Sequence, residues 1–319
     1  MSYVLTRLVT QLIPTLFIAS LLIFGAVRLI PGDPAVAACG ENSVGTDCAE
    51  NLRAKWGLDK PFFEQYGDWV SGIFEGDFGI SNKGIEVWDV VASAFPASLE
   101  LTLFATIVGF GLGLIFGVLA AINRGGFWDY FAGAWAGWNI GVPSFIAGFF
   151  YLIIFAVALD VLPSFGRTPI TENFGDALLH LLMPGFALGG IVAAQILRFT
   201  RQSMLDTLTE DYIRTAQAKG LRRPIVILRH ALKPSLIPVV TIMAFNFAEI
   251  LGGTLIIESV FTWPGMGRAL AVAVRDRDYA IIQIITMLIV TIFMFVYLMI
   301  DVLYVALDPR IRVGGRASD

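Results

Sequence analysis

The sequence predicts an all-α integral membrane protein of six transmembrane helices, with a small extracytoplasmic insertion between the first two. Three observations predict it. Of 319 residues, 56% are hydrophobic and only 15% are charged, too few charges to cover a soluble domain. Mean hydropathy is +0.74. The apolar runs are long and continuous, and hydrocarbon, which offers the backbone no water, admits only helices or closed barrels; uninterrupted runs select helices.

Six segments reach the roughly 20 residues a spanning helix needs: 8–30, 99–122, 131–159, 178–197, 236–260 and 281–307. The third is either long and tilted or broken near Gly141-Val142-Pro143. Lys and Arg set the orientation. One side carries Arg7, Arg124, eight cations within 198–233, Arg310, Arg312 and Arg316. The other carries Arg53, Lys55, Lys60, Lys83, Arg167, Arg268, Arg275 and Arg277, and its first segment, 31–97, holds 11 Asp and Glu. Both termini are therefore expected in the cytoplasm, in a multi-pass protein of the cytoplasmic (inner) membrane. The formal charge of −4 comes largely from that acidic outer segment and implies no nucleic-acid partner; the lipid bilayer is the partner that composition requires.

The elements follow in order. Helix 8–30 ends in Pro31, Gly32 and Asp33, too polar and too far from Cys39 for cleavage at Val36-Ala37-Ala38-Cys39, so a retained helix is expected. Cys39 and Cys48 both fall in the outer segment 31–97; a disulfide-closed loop is expected, with two free thiols as the alternative. Within that segment Phe62, Tyr66, Trp69, Val70 and Ile73 share one helical face, too little apolar mass for a separate core, so it should pack on the remainder, 98–307. Gly109, Gly111, Gly113 and Gly117 include a G-x-x-x-G spacing that lets helix backbones approach. Gly252 and Gly253 permit packing or a kink. Trp263-Pro264-Gly265 reads as a turn, with Trp at the interface belt. The tail, 308–319, is expected to be mobile and cytoplasmic.

The loop at about 201–235 overlaps the largest charged island, 198–233. Met204, Leu208, Tyr212, Ala216 and Gly220 recur every four residues, the spacing of one helical face. Thr209 is the expected N-cap, Glu210 and Asp211 complement the helix dipole, and Lys219-Gly220 is the expected stop. A second short helix should begin with Pro224 and end before Pro234. Such a stripe lies on the bilayer surface, packs on its own bundle, or enters a partner's groove.

Asp211-Tyr212-Ile213-Arg214-Thr215-Ala216-Gln217-Ala218-Lys219-Gly220, followed by Leu228-Arg229-His230-Ala231-Leu232, resembles the cytoplasmic coupling loop of ABC importer permeases, specifically the dipeptide/oligopeptide (peptide/nickel-type) family. Arg214-Thr215-Ala216 stands where that pattern has Glu-Ala-Ala, and proline comes one place late, at Pro234. Leu29-Ile30-Pro31-Gly32-Asp33-Pro34, Gly57-Leu58-Asp59, Gly76-Asp77-Phe78-Gly79, the run from Glu258 to Gly265, Arg277-Asp278-Tyr279 and Leu307-Asp308-Pro309-Arg310 are similar to the same family in the same order. The resemblance implies a type I importer fold. It also implies a second homologous permease subunit, two separate ABC ATPase subunits that bind ATP and Mg, and an extracytoplasmic solute-binding protein. Tyr212, Thr215, Ala216, Lys219 and Gly220 would then dock an ATPase. Di- or oligopeptides, or peptide-like solutes, are the implied cargo; a nickel chelate, glutathione or an opine is the alternative within the family.

At membrane depth, polar groups default to functional readings. Asn139, Gln195, Asn246 and Glu249 are the candidates for a substrate path, the last two on one face. Glu100, Glu258 and Asp301 are expected near helix ends in structural roles. No chain of acids suggests a proton relay, which weakens an ion-coupled transporter or channel. No G-x-x-x-x-G-K-[ST], H-E-x-x-H or G-x-S-x-G occurs, and the only histidines, His180 and His230, are far apart. No catalytic residue, metal site or cofactor is expected in this chain, and it is read as a transport subunit rather than an enzyme.

Overall fold

The computed structural model describes residues 8–29, 34–39 and 47–307; Arg7, Arg310, Arg312, Arg316, the Pro31-Gly32-Asp33 exit and the tail 308–319 lie outside them. In chain order the helices are α1 (Ile13–Arg28), α2 (Pro34–Cys39), α3 (Asp47–Lys55), α4 (Phe62–Glu75), α5 (Val87–Ile122), α6 (Phe127–Gly141), α7 (Ser144–Tyr151), α8 (Phe174–Leu208), α9 (Asp211–Ala218), α10 (Lys233–Gly253), α11 (Leu255–Val260), α12 (Met266–Asp276) and α13 (Tyr279–Leu307). An isolated bridge between Ile80 and Glu86 is the only extended pairing among the described residues.

By length and apolarity four helices can cross a membrane: Thr10–Arg28, Val87–Ile122, Phe174–Leu208 and Tyr279–Ile300. Two bent pairs raise the number to six if each crosses as one span. The pair Phe127–Gly141 and Ser144–Ala158 bends by 105°, and the pair Arg223–Leu236 and Pro238–Gly253 by 51°. The first bend has a local cause. The ring of Pro143 excludes helical backbone at the preceding residue, and Val142 is extended at φ −104°, ψ 121°. Of the two expected forms of the third segment, the broken one is found.

Two compact units divide the chain, 1–98 with 264–295, and 99–263 with 296–319. In the first unit, α4 packs on α1 as its periodicity requires: Phe62, Tyr66 and Trp69 lie 5.3, 5.4 and 5.5 Å from the Phe24 ring. Ser20 Oγ and Tyr66 Oη share a 2.8 Å hydrogen bond. The α4 helix stops at Gly76, whose φ of 84° suits glycine alone. A disulfide joins Cys39 to Cys48. Below these elements Val87, Val91 and Ala94 bury against Met266, Ile284 and Ile285. The α5 helix therefore starts at Val87, well before the expected residue 99, because its first turns already have an apolar surface to cover. Glu100 consequently lies in a helix interior and not at an end.

In the second unit the long α5 and α8 cross at backbone distance. A Cβ on Gly109 would meet Gly189 O at 2.8 Å, on Gly113 Ala193 O at 2.6 Å, and on Gly117 Thr200 Cβ at 2.6 Å. Gly111, one step round the helix, has nothing within 4 Å. Three glycines at a spacing of four thus form the seam, and the fourth is off it. Trp263, expected at an interface, is fully buried; Glu258 is buried too.

Candidate functional site

The basic segment is built from the end of α8. Thr209 closes that helix: its Oγ1 donates to Asp206 O at 2.7 Å and its N–H to the same carbonyl at 3.2 Å. This corrects its expected role as an N-cap. The chain turns at Glu210 (φ −68°, ψ 146°), which precedes α9 without a side-chain cap. At the far end Gly220 N–H reaches Gln217 O at 2.9 Å and Leu221 N–H reaches Ala216 O at 3.3 Å. This pair of bonds satisfies carbonyls that a helix end otherwise orphans, and it needs a left-handed residue between them; Gly220 has φ 75°.

One short helix therefore has two sides. Ile213 and Ala216 are buried, in a cluster with Ala121 of α5, Met204 of α8, and Val226 and Ala231. Thr215, Lys219 and Gly220 lie exposed, as does Tyr212 at 46%, its hydroxyl 3.4 Å from His230 O. The buried side is thus Ile213/Ala216 and not the Tyr212/Ala216/Gly220 stripe. The α9 helix starts afresh after Glu210, which breaks the register inherited from Met204 and Leu208. Ala216 faces its own bundle, and the other four candidates stay on the open side. Beyond it, Arg223–Ile225 opens with Pro224 in its first turn and runs on through wider turns (Val226–Leu232) into α10. The expected end before Pro234 is absent: the backbone stays helical through Leu232 (φ −64°, ψ −45°) and Lys233 (φ −55°, ψ −50°). Ser235 ties this segment to α8: its Oγ lies 3.0 Å from Thr207 Oγ1, and Ser203 Oγ donates to Ser235 O at 3.2 Å.

The candidate path residues have different surroundings. Asn139 donates to Trp135 O at 2.9 Å, and its Oδ1 occupies the space a side chain at Gly190 would fill. Gln195 is half-buried on α8. Asn246 is buried and donates to Ile242 O at 2.8 Å, whereas Glu249 is exposed; the two do not share an environment. The side chain of Asp301 lies outside the described residues.

Three polar clusters were not foreseen. Glu100 accepts from Arg167 Nε at 2.7 Å, with side-chain exposures of 20% and 13%. Asp129 takes a two-pronged grip from Arg201, Nε to Oδ1 at 2.6 Å and Nη2 to Oδ2 at 2.9 Å. In the smaller unit buried Asp278 accepts from Ser81 Oγ, from Asn82 N–H at 3.1 Å and from Ile281 N–H at 3.3 Å. It thereby caps α13 and holds the 80–86 turn. Beside it Lys83 Nζ lies 2.6 Å from Asp276 Oδ2, and this contact holds the Asp276 carboxyl below its usual range against the opposing effect of burial. The pairs are separated by 67 to 197 positions, beyond reach of any local pattern. Among the described residues no group of His, Cys, Asp or Glu is arranged to hold a metal.

Residues 113–313 match the model for the inner membrane component of binding-protein-dependent transport systems, and residues 1–102 the model for the N-terminal part of that membrane component. The chain belongs to this family. Among curated relatives this permease is similar to the dipeptide transport system permease protein DppB of Escherichia coli (strain K12), 38% identical over 336 residues, with 98% of this chain and 99% of the relative covered. It is 40% identical over 313 residues to the glutathione transport system permease protein GsiC of Shigella flexneri serotype 5b (strain 8401), at the same coverage. Among solved structures it resembles the MetNI methionine ABC transporter in an inward-facing conformation, with a TM-score of 0.55 and 16% identity over 69% of this chain and 96% of that one. An amino acid ABC transporter crystallised with histidines gives a TM-score of 0.50 at 15% identity, covering 70% and 94%. At these identities the two structures establish the permease fold alone.

Proposed function

We propose that this chain is the membrane-spanning subunit of an ATP-driven importer for di- or oligopeptides or peptide-like solutes. Two of its relatives are named for dipeptide and glutathione transport, and glutathione is itself a peptide-like solute. The observation that carries the coupling is the two-sidedness of α9. Ile213 and Ala216 anchor it in the same cluster as α5 and α8, while Tyr212, Thr215 and Lys219 lie on its open face. A push on that face by a partner passes directly into two long helices, because a packed cluster moves as a unit. The chain contains no phosphate-binding loop, so ATP, Mg and hydrolysis belong to two separate ATPase subunits. A second homologous permease and an extracytoplasmic solute-binding protein complete the assembly, both termini face the cytoplasm, and each bent helix pair crosses once to give six spans. Asn139, Gln195, Asn246 and Glu249 stay candidates for the path.

Thr215→Arg tests this reading, since Thr215 is exposed and its replacement leaves the buried anchors in place. The expected result is an intact, folded permease that fails to co-purify with an ATPase or fails to couple hydrolysis to uptake. Full coupling in that variant, or uptake by the chain alone in liposomes without ATP, refutes it.

A further inference from the structure

A groove of about 460 Å³ runs between α6 and α8 in the larger unit. Asp129 pairs with Arg201 and Asn139 meets Gly190, so the two helices run antiparallel along it. One end carries Asp129, Tyr130, Arg198 and Arg201; Gly133, Ala134 and Ala136, on the next turns of α6, line the other. Two independent features fix its depth in the bilayer. On α8, residues 181–197 hold no charge and Arg198 ends that run; on α6, Asp129 is the last charge before the uncharged stretch 130–159. The aromatic residues that open α6, Phe127, Trp128, Tyr130 and Phe131, are all exposed, as suits a membrane–water interface. The polar end of the groove thus stands at the edge of the hydrocarbon, on the side that bears the basic segment, and Gly133 and Ala134 lie deeper.

The charges at the polar end do not balance. Arg201 grips Asp129 at 2.6 and 2.9 Å, and Gly125 N–H donates to the same carboxylate at 2.9 Å. Arg124 acts on that carboxylate too. Asp129 is thereby fully engaged. Arg198, one turn before Arg201 on α8, is exposed and has no ion pair or side-chain hydrogen bond among the described residues. Arg124, Arg198 and Arg201 thus stand against a single acid. Beside them Tyr130, 75% exposed, offers a hydroxyl. Toward the hydrocarbon the groove is open, since a Cβ on Gly133 would have nothing within 4 Å. A cation exposed at this depth meets lipid headgroups, and an open furrow leading from it into hydrocarbon meets acyl chains.

We infer that this groove holds one anionic phospholipid. Arg198 and the Tyr130 hydroxyl take its phosphate, and the uncompensated positive charge selects an anionic headgroup over a zwitterionic one, as basic recesses between membrane helices do. An acyl chain lies over Gly133 and Ala134. The lipid then spans α6 and α8 alongside the cluster of Ala132, Ala136, Ala194 and Leu197 that joins them. A soluble phosphate would leave the apolar half of the groove empty. The inference needs the chain to lie in a membrane and is independent of the solute it carries.

Native mass spectrometry tests it on the assembled transporter, released from nanodiscs of equimolar phosphatidylglycerol and phosphatidylcholine. Phosphatidylglycerol is expected to be retained in excess. Arg198→Gln should cut that preference roughly five-fold, the weight of one cation at a membrane surface. Gly133→Leu fills the open half of the groove and should remove one tightly held lipid. Leucine suits an exposed helix position, and unchanged melting temperatures in phosphatidylcholine alone verify that both variants are folded. No preference for phosphatidylglycerol in the wild type overturns the inference, which is the result expected if a partner subunit covers the groove. A preference that both variants keep overturns it too. Loss of the preference in Arg198→Gln but not in Gly133→Leu, or on adding inorganic phosphate, shows a bare anion site and overturns it equally. No readout here is uptake, so failure of this site leaves the proposed transport function standing, and the reverse holds.

Discussion

Replacing Gly113 by alanine puts a methyl group into the α5–α8 seam. The added carbon would lie 2.6 Å from Ala193 O and 2.7 Å from Ile196 Cβ. One is backbone and the other a β-carbon, so neither can rotate away. Reaching an ordinary contact of 3.4 Å requires the helices to separate locally by about 0.8 Å. A gap of that size forfeits a quarter to a half of each dispersion contact beside it, and overpacking of this kind costs about 1–3 kcal/mol. Against this, alanine recovers up to about 1 kcal/mol of backbone entropy. Gly111→Ala is the internal control: it gains the same entropy in the same helix with nothing within 4 Å. The expected outcome is a lower melting temperature for Gly113→Ala and an unchanged or higher one for Gly111→Ala, measured by thermal unfolding of the purified chain in nanodiscs. Equal shifts for the two variants would refute the seam.

Three further outcomes follow from side-chain contacts. A double-mutant cycle over Glu100→Gln and Arg167→Met should show a coupling of about 1–3 kcal/mol in thermal stability, since this pair is mostly shielded from water; additive effects would show that the pair does not hold the 159–173 loop. The Asp276 carboxyl is held below its usual range first by Lys83, so its contribution is complete above the ordinary carboxylate pKa of about 4 and is lost as pH falls through the lower folded-state value. Lys83 is 57% exposed, which limits the effect to under about 1 kcal/mol. Lys83→Met should flatten the acid limb of stability, and an identical acid limb would contradict the assignment. Cys39→Ser should cost roughly 2–3 kcal/mol, the loop entropy of a bridge spanning nine positions, and reductant should destabilise the wild type but not the Cys39→Ser variant.

What could be read in the chain alone is what depends on near neighbours. Apolar runs mark the long helices, because burial in hydrocarbon needs only length and composition. Pro143 breaks the third segment and Gly220 stops α9, because their backbone limits act within one or two residues. The face of α4 follows from a period of 3.6, because one stripe of the helix, Phe62, Tyr66 and Trp69, packs around Phe24. What the tertiary structure decided is where two distant pieces meet. Ile213 and Tyr212 are adjacent, and which of them turns inward depends on the break at Thr209 and Glu210 that restarts the helix. Gly111 and Gly113 look alike in the sequence, yet only one faces α8. Asn246 and Glu249 are three residues apart, yet one is buried and the other exposed. Trp263 has the composition of an interface residue but fills an interior. The carboxylates of Glu100, Asp129 and Asp278 find their donors across 67, 72 and 197 positions. Local chemistry sets the backbone's path, but a side chain's partner is set by the packing of whole helices, and no spacing within one helix encodes that.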